Sequence, residues 1–153
     1  MNRFVFVLLF LGCSDEPPVN GTTGPSFPAS YAATYKEVRN CRPSGDHDLN
    51  RVRVLADPAA FGPYSKRDAP FPVGAVVIKE EYDIGDTNCK GPITLWTVMK
   101  RLAKDSSPKT LDWRWEKVDA KRTVVETDTP RCYGCHTGCT VAAGGYENTC
   151  EVP

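Results

Sequence analysis

Near its C-terminus the chain reads Cys132-Tyr133-Gly134-Cys135-His136. The fold must bring two thiols, two residues apart, and the imidazole that follows them to bear on one bound group. That spacing is the attachment pattern of c-type haem, in which the thiols add to porphyrin vinyl groups along one edge. The imidazole then lies beneath the plane as the proximal iron ligand. Two alternatives use the same residues. Cys139 extends the stretch to Cys-x-x-Cys-His-x-x-Cys, a set that suits tetrahedral zinc, while a bare Cys-x-x-Cys also serves as a dithiol redox pair or a disulfide.

Context separates these readings. Arg3, the apolar run Phe4 to Leu11 and Gly12-Cys13 form a targeting segment. Eight apolar residues are too few to span a bilayer, which takes about twenty. A small residue before a cysteine at the end of such a run resembles the lipobox of bacterial lipoproteins, with residues 1–12 removed and Cys13 lipidated. Phe10 stands where Leu is more usual, and the alternative is an ordinary cleaved signal with a free Cys13. Either way the chain is expected in the cell envelope: a lipoprotein on the periplasmic side touching the membrane only through its anchor, or a soluble periplasmic or secreted protein. In that compartment haem can be attached and surplus thiols pair. The seven cysteines divide accordingly. With Cys13 lipidated and Cys132 and Cys135 on haem, Cys41, Cys89, Cys139 and Cys150 remain for two disulfides with three connectivities. Cys139 with Cys150, pinning the chain after the motif, and Cys41 with Cys89 are the favoured pairs.

Length and charge narrow the class. The 153 residues give room for one domain with a real core, and nineteen basic against nineteen acidic residues leave no net charge to recommend a nucleic-acid partner. Residues 13–30, rich in Pro, Gly and Ser, read as a tether with little order before Ser30. The domain is expected over 31–153. Ser30 caps a predicted helix through Tyr31, Thr34, Tyr35 and Val38, which Pro43 stops. Asn50 to Ala56 alternates like a half-buried strand, Asp57-Pro58-Ala59-Ala60 reads as a capped helical turn, and Phe61 to Pro72 reads as loop. Val73 to Tyr82, Ile93 to Leu102 and Leu111 to Val118 are further strands, with Arg122 to Glu126 a short fifth. The expected class is α+β, mainly β: an antiparallel sheet of four to five strands, one main N-terminal helix and a C-terminal haem-binding loop.

Taken in order, Phe71-Pro72-Val73-Gly74-Ala75-Val76-Val77-Ile78-Lys79-Glu80, Leu95-Trp96-Thr97-Val98-Met99-Lys100, Asp112-Trp113-Arg114-Trp115 and the Cys132 to His136 motif resemble the cytochrome P-460 family. His47 followed by Arg51 to Asp57 is similar to that family's first strand. The resemblance implies a mainly antiparallel β fold around one covalently attached haem c. It also implies an open distal side that binds nitric oxide or oxidises hydroxylamine, an external electron acceptor and a homodimer. Family enzymes carry a lysine bonded to the haem edge, and the matching residue is Lys79. On a strand it ends the row Val73, Ala75, Val77, where an ammonium is costly unless it reaches solvent or a partner.

His47 and Met99 are the two side chains able to supply a sixth iron ligand once Met1 is removed, although Met99 reads as core and His47 as a turn residue. Glu126 and Asp128 are weak candidates for a general base. Phe61 and Phe71 are candidate pocket walls, and Trp96, Trp113 and Trp115 read as sheet aromatics. A periplasmic electron carrier, or a lipoprotein module with a structural zinc or disulfide knot, are the alternative functions.

Overall fold

A computed structural model of the protein describes residues 24–150. The expected signal, Cys13 and most of the spacer lie outside the described residues. Six strands, β1 (Lys36–Pro43), β2 (Arg51–Ala56), β3 (Val76–Tyr82), β4 (Leu95–Arg101), β5 (Trp113–Asp119) and β6 (Val124–Thr127), pair in sequence order as an antiparallel meander. Two helices accompany them, α1 (Pro58–Lys66) and α2 (Pro130–His136). The class is α+β, mainly β, with one strand more than expected.

The sheet has a covered face on each side. Period-two alternation puts Val54, Ala56, Val77, Met99, Trp113 and Trp115 on one face, where Ala60 and Tyr64 of α1 and Phe71 pack against them. Leu55, Val76, Ile78, Trp96, Val98 and Val118 line the other, covered by Phe27 and Tyr31. Strand β3 is buried along its whole length, which explains why its sequence is a continuous run rather than an alternation.

Ser26 and Phe27, within the segment read as spacer, lie against the second face. The Glu116 carboxylate accepts from the backbone N–H of Ser26 at 2.8 Å and from its hydroxyl at 2.7 Å. Phe27 is 2% exposed, with the Arg122 guanidinium 4.3 Å from its ring centroid.

Three expectations need correction. The predicted N-terminal helix is a single 3₁₀ turn, Tyr31–Ala33, followed by β1. Ser30 makes no side-chain cap bond, and residues 36–43 pair with β2 instead, so long-range ladder bonds outweigh a weak local helical period. Irregularities between Glu37 and Arg39 and between Arg39 and Arg42 break the alternation that would have betrayed a strand. Secondly, the helical turn at Asp57 runs on to Lys66 through the predicted loop. Asp57 accepts from the Ala60 N–H, and burial of Ala60 and Tyr64 sustains the helix despite Pro63. Thirdly, Cys132 to His136, expected on a loop, lie on helix α2.

Candidate functional site

The C-terminal end of the chain is folded around His136. In α2 the three-residue spacing puts Cys132 and Cys135 on neighbouring turns of one face, with His136 about 100° further round. Both thiols are free, Cys132 partly buried and Cys135 exposed, and the Thr129 hydroxyl lies 3.2 Å from the Cys132 sulfur. His136 is buried, with its ring 4.6 Å from that of Trp115. Its Nδ1 sits 2.6 Å from the Asn148 carbonyl. A carbonyl can only accept, so Nδ1 carries the proton and Nε2 keeps its lone pair for a ligand. Burial foremost, then the charge of Lys79, pushes the His136 imidazole down to about 4, with His47 acting in the same direction. The ring therefore stays neutral at ordinary pH, as metal ligation requires.

The segment that supplies Asn148 is held from several sides. A disulfide joins Cys139 to Cys150, and a second joins Cys41 to Cys89. Tyr146 donates from its hydroxyl to the Ala69 carbonyl at 2.6 Å, and Trp113 Nε1 donates to the Glu147 carbonyl at 3.1 Å. The turn is tight enough that a Cβ on Gly145 would lie 2.5 Å from the Cys139 carbonyl oxygen. The Cys139 and Cys150 sulfurs and a His136 nitrogen lie within 4.8 Å of one another. Because the two sulfurs are bonded to each other, Cys139 is not free to complete the zinc set considered above.

Above this helix the first face of the sheet forms the wall of a cavity of about 560 Å³, a size that suits a cofactor. Lys79, Glu81, Thr97, Met99 and Trp115 line it from the strands, Cys132, Cys135 and His136 from α2, and His47 from the loop before β2. Lys79 is 9% exposed and its Nζ lies 3.0 Å from Nε2 of His47. The other nitrogen of His47, Nδ1, is 3.0 Å from Glu81 Oε1, and Asn50 donates to Glu81 Oε2 at 3.4 Å. Glu81 itself is 1% exposed. Val73, expected on the Lys79 row, is instead exposed, because β3 starts only at Val76.

The remaining candidates fall into place. Met99 is 7% exposed within the core cluster, although it also borders the cavity. Asp128 accepts from the Trp115 backbone N–H at 2.8 Å, and exposed Glu126 lies 3.6 Å from the Lys117 ammonium, so each has a structural partner. Phe71 packs edge-on against Tyr64 and Trp113, while Phe61 packs against the same core. Trp96 lies on the opposite face, donating from Nε1 to the Tyr31 hydroxyl. Sequence reasoning passed over Glu81, Thr97 and Asn148. The signal for Glu81 was there: Lys79-Glu80-Glu81 inside an apolar strand run is an expensive sequence unless each charge is paired.

The residues fit a haem. Two free thiols, a neutral imidazole with an available Nε2 and a lined cavity form the donor set of a c-type attachment site. The buried Thr97 hydroxyl on the cavity wall has no hydrogen-bond partner, as expected of a wall designed to face a bound group. A mainly-β domain with such a site defines a haem-binding cytochrome. The chain belongs to the Cytochrome P460 family, whose family model matches residues 28–144. No curated protein matches the chain.

Proposed function

We propose that the protein is an exported cytochrome with one haem c, held by Cys132 and Cys135 as thioethers and by His136 as proximal ligand, and that it binds or oxidises small nitrogen compounds such as nitric oxide and hydroxylamine. Each thiol adds across a vinyl group, sulfur to one carbon and hydrogen to the other, so attachment needs no oxidant. When bound, the haem supplies an iron centre for the small ligand and a route for electrons to an external acceptor.

The observation that carries this reading is the engagement of both candidate sixth ligands elsewhere. His47 is spent on Lys79 and Glu81, and Met99 is packed into the core beside Val77 and Trp115. A side with no second protein ligand is one that a small molecule can enter, whereas a second ligand would suit simple electron transfer. Lys79, with its amine on the cavity wall, is the candidate for a bond to the haem edge. Export to the periplasm on a lipid anchor at Cys13 is supported by the two disulfides and by the Gly12-Cys13 signal pattern.

The test is a haem stain and ferrous absorption spectrum of the purified protein with and without nitric oxide. The reading predicts a five-coordinate spectrum that shifts on adding nitric oxide. A colourless protein rejects it, and an unresponsive low-spin spectrum replaces it with the electron-carrier reading. Mass spectrometry of tryptic haem peptides decides the Lys79 bond: recovery of Lys79 free of haem rules it out.

A further inference from the structure

The Cys139–Cys150 disulfide lies against the histidine of the haem motif. Among the described residues, His136, Cys139 and Cys150 are the one group of His, Cys, Asp or Glu side chains gathered closely enough for a metal ion, their donor atoms all within 4.8 Å of one another. A tetrahedral zinc, with Zn–S of about 2.3 Å and Zn–N of about 2.0 Å, sets its ligand atoms about 3.5–3.8 Å apart. Small movements would therefore make the set a site, once the sulfurs are free. The sulfur–sulfur bond is what withholds it, because the ligand form of cysteine is the thiolate. Access distinguishes the two disulfides. Cys89 is 4% exposed, which shields Cys41–Cys89, while Cys150 reaches solvent, and exposed disulfides are the ones open to reduction. The histidine is already set as a ligand: its Nδ1 bond to the Asn148 carbonyl leaves one lone pair on the ring. That lone pair serves a haem iron or this metal, not both.

We propose that Cys139–Cys150 is a redox gate over the choice of metal at His136. Closed, it leaves the ring to haem; opened by a dithiol reductant, it releases a Cys139, Cys150 and His136 site for zinc or another divalent ion of similar softness. In the step, the dithiol gives two electrons and two protons, the S–S bond breaks, and the reductant leaves as its own disulfide. The metal ion then forms two bonds to sulfur and one to nitrogen, and the two thiol protons pass to solvent. Its fourth position is open to water, or to Cys132 or Cys135, which border the same cavity. Metal binding would also re-join the two chain ends that the disulfide had joined. The site stands without the haem reading, on which only the competition rests.

The full chain carrying Cys132→Ser and Cys135→Ser isolates the site, since it removes the other free thiols and prevents covalent haem attachment. Co2+ is the probe, a stand-in for zinc whose visible absorption reports tetrahedral thiolate ligation. Oxidised chain, and chain reduced with dithiothreitol and then freed of it anaerobically, are titrated with Co2+, and Zn2+ is added to displace it. The reduced chain is expected to bind one equivalent at least about a hundredfold more tightly than the oxidised chain, since losing even an outer-shell partner costs about 10–100-fold. Adding His136→Gln or Cys150→Ser should abolish the tetrahedral spectrum. With the motif intact, haemin added to the reduced, zinc-loaded chain should give a histidine-ligated spectrum only after a chelator removes the zinc. No tetrahedral cobalt spectrum, equal binding by the oxidised chain, or binding kept in His136→Gln overturns the site. Haemin ligation undiminished by bound zinc overturns the gate. Failure of the haem reading shows separately, as haemin left unligated by the oxidised chain while the cobalt result stands.

Discussion

Removing the two disulfides one at a time separates stability from function at the site. Cys41–Cys89 closes a separation of 48 residues and Cys139–Cys150 one of 11. The unfolded-chain entropy lost to each cross-link grows with the logarithm of loop length, which gives about 4 kcal/mol for the long loop and about 3 kcal/mol for the short one at 25 °C. Cys41→Ser/Cys89→Ser should therefore destabilise the domain more than Cys139→Ser/Cys150→Ser. At the haem the order reverses. Only the short loop carries Asn148, whose carbonyl fixes the His136 ring at 2.6 Å, and loosening it lets the imidazole tilt. The assay is guanidinium unfolding followed by far-UV circular dichroism, paired with the ferric and ferrous absorption spectra of each folded variant. The short-loop variant should shift the haem bands and the long-loop variant should leave them in place. Equal spectral shifts, or a shift in the long-loop variant alone, would refute the assignment of Asn148 as the anchor of His136.

Other consequences can be measured in the same way. In the haem-free chain His136 titrates at about 4, against 6.5 for an unperturbed imidazole, so the unfolded state takes the proton first as pH falls. Stability from this group is full above about pH 6.5 and is lost towards pH 4, by about 3 kcal/mol. Denaturant midpoints of the haem-free chain should show that slope relative to His136→Gln, and parallel pH profiles would contradict it. Glu80, 1% exposed, binds Arg53 and the hydroxyls of Tyr31 and Tyr82 on the face away from the cavity. Glu80→Ala should cost about 3–5 kcal/mol in urea unfolding, as loss of one partner of a buried ion pair does, with the haem spectrum unmoved. Thr97→Val removes the unpartnered hydroxyl and should stabilise the haem-free chain by about 1 kcal/mol; a loss of stability would show that the hydroxyl has a bonding partner.

How far the sequence revealed this arrangement depended on the range of the interactions involved. Strands β2 to β5 were legible because each carries its own apolar signature, and Cys132 to His136 because the motif is contiguous. The first strand was not. Its alternation is broken by irregular pairing, and the four-residue spacing of Tyr31 and Tyr35, which mimics a helix, instead sets two rings edge to face at 5.9 Å. His47 stands between Asp46 and Asp48 in a polar turn, and nothing local indicates that Glu81, 34 residues away, reaches its ring. The His136 tautomer depends likewise on a backbone carbonyl twelve residues downstream, which no side-chain pattern encodes.

The three charged residues at the end of β3 show why buried charge has to be read face by face. Alternation sends Glu80 to one side and Lys79 and Glu81 to the other. On the Glu80 side the charge is closed: Arg53 approaches at 2.7 Å and two tyrosine hydroxyls complete the carboxylate, pushing Tyr31 up to about 12 through burial and then the bond to Glu80. That set ties the N-terminal segment to the sheet through the Tyr31 hydroxyl. Lys79 and Glu81 stay on a cavity wall with a histidine between them. Replacing such a buried pair with apolar side chains of similar volume is often neutral or stabilising by about 1–4 kcal/mol, and the neighbouring row of Val77, Met99 and Trp115 is already apolar. Folding alone therefore gives β3 no reason to carry an amine and a carboxylate on this face. The reason lies in the space they border, where His136 presents an open ring nitrogen and Lys79 an amine 3.0 Å from the His47 ring.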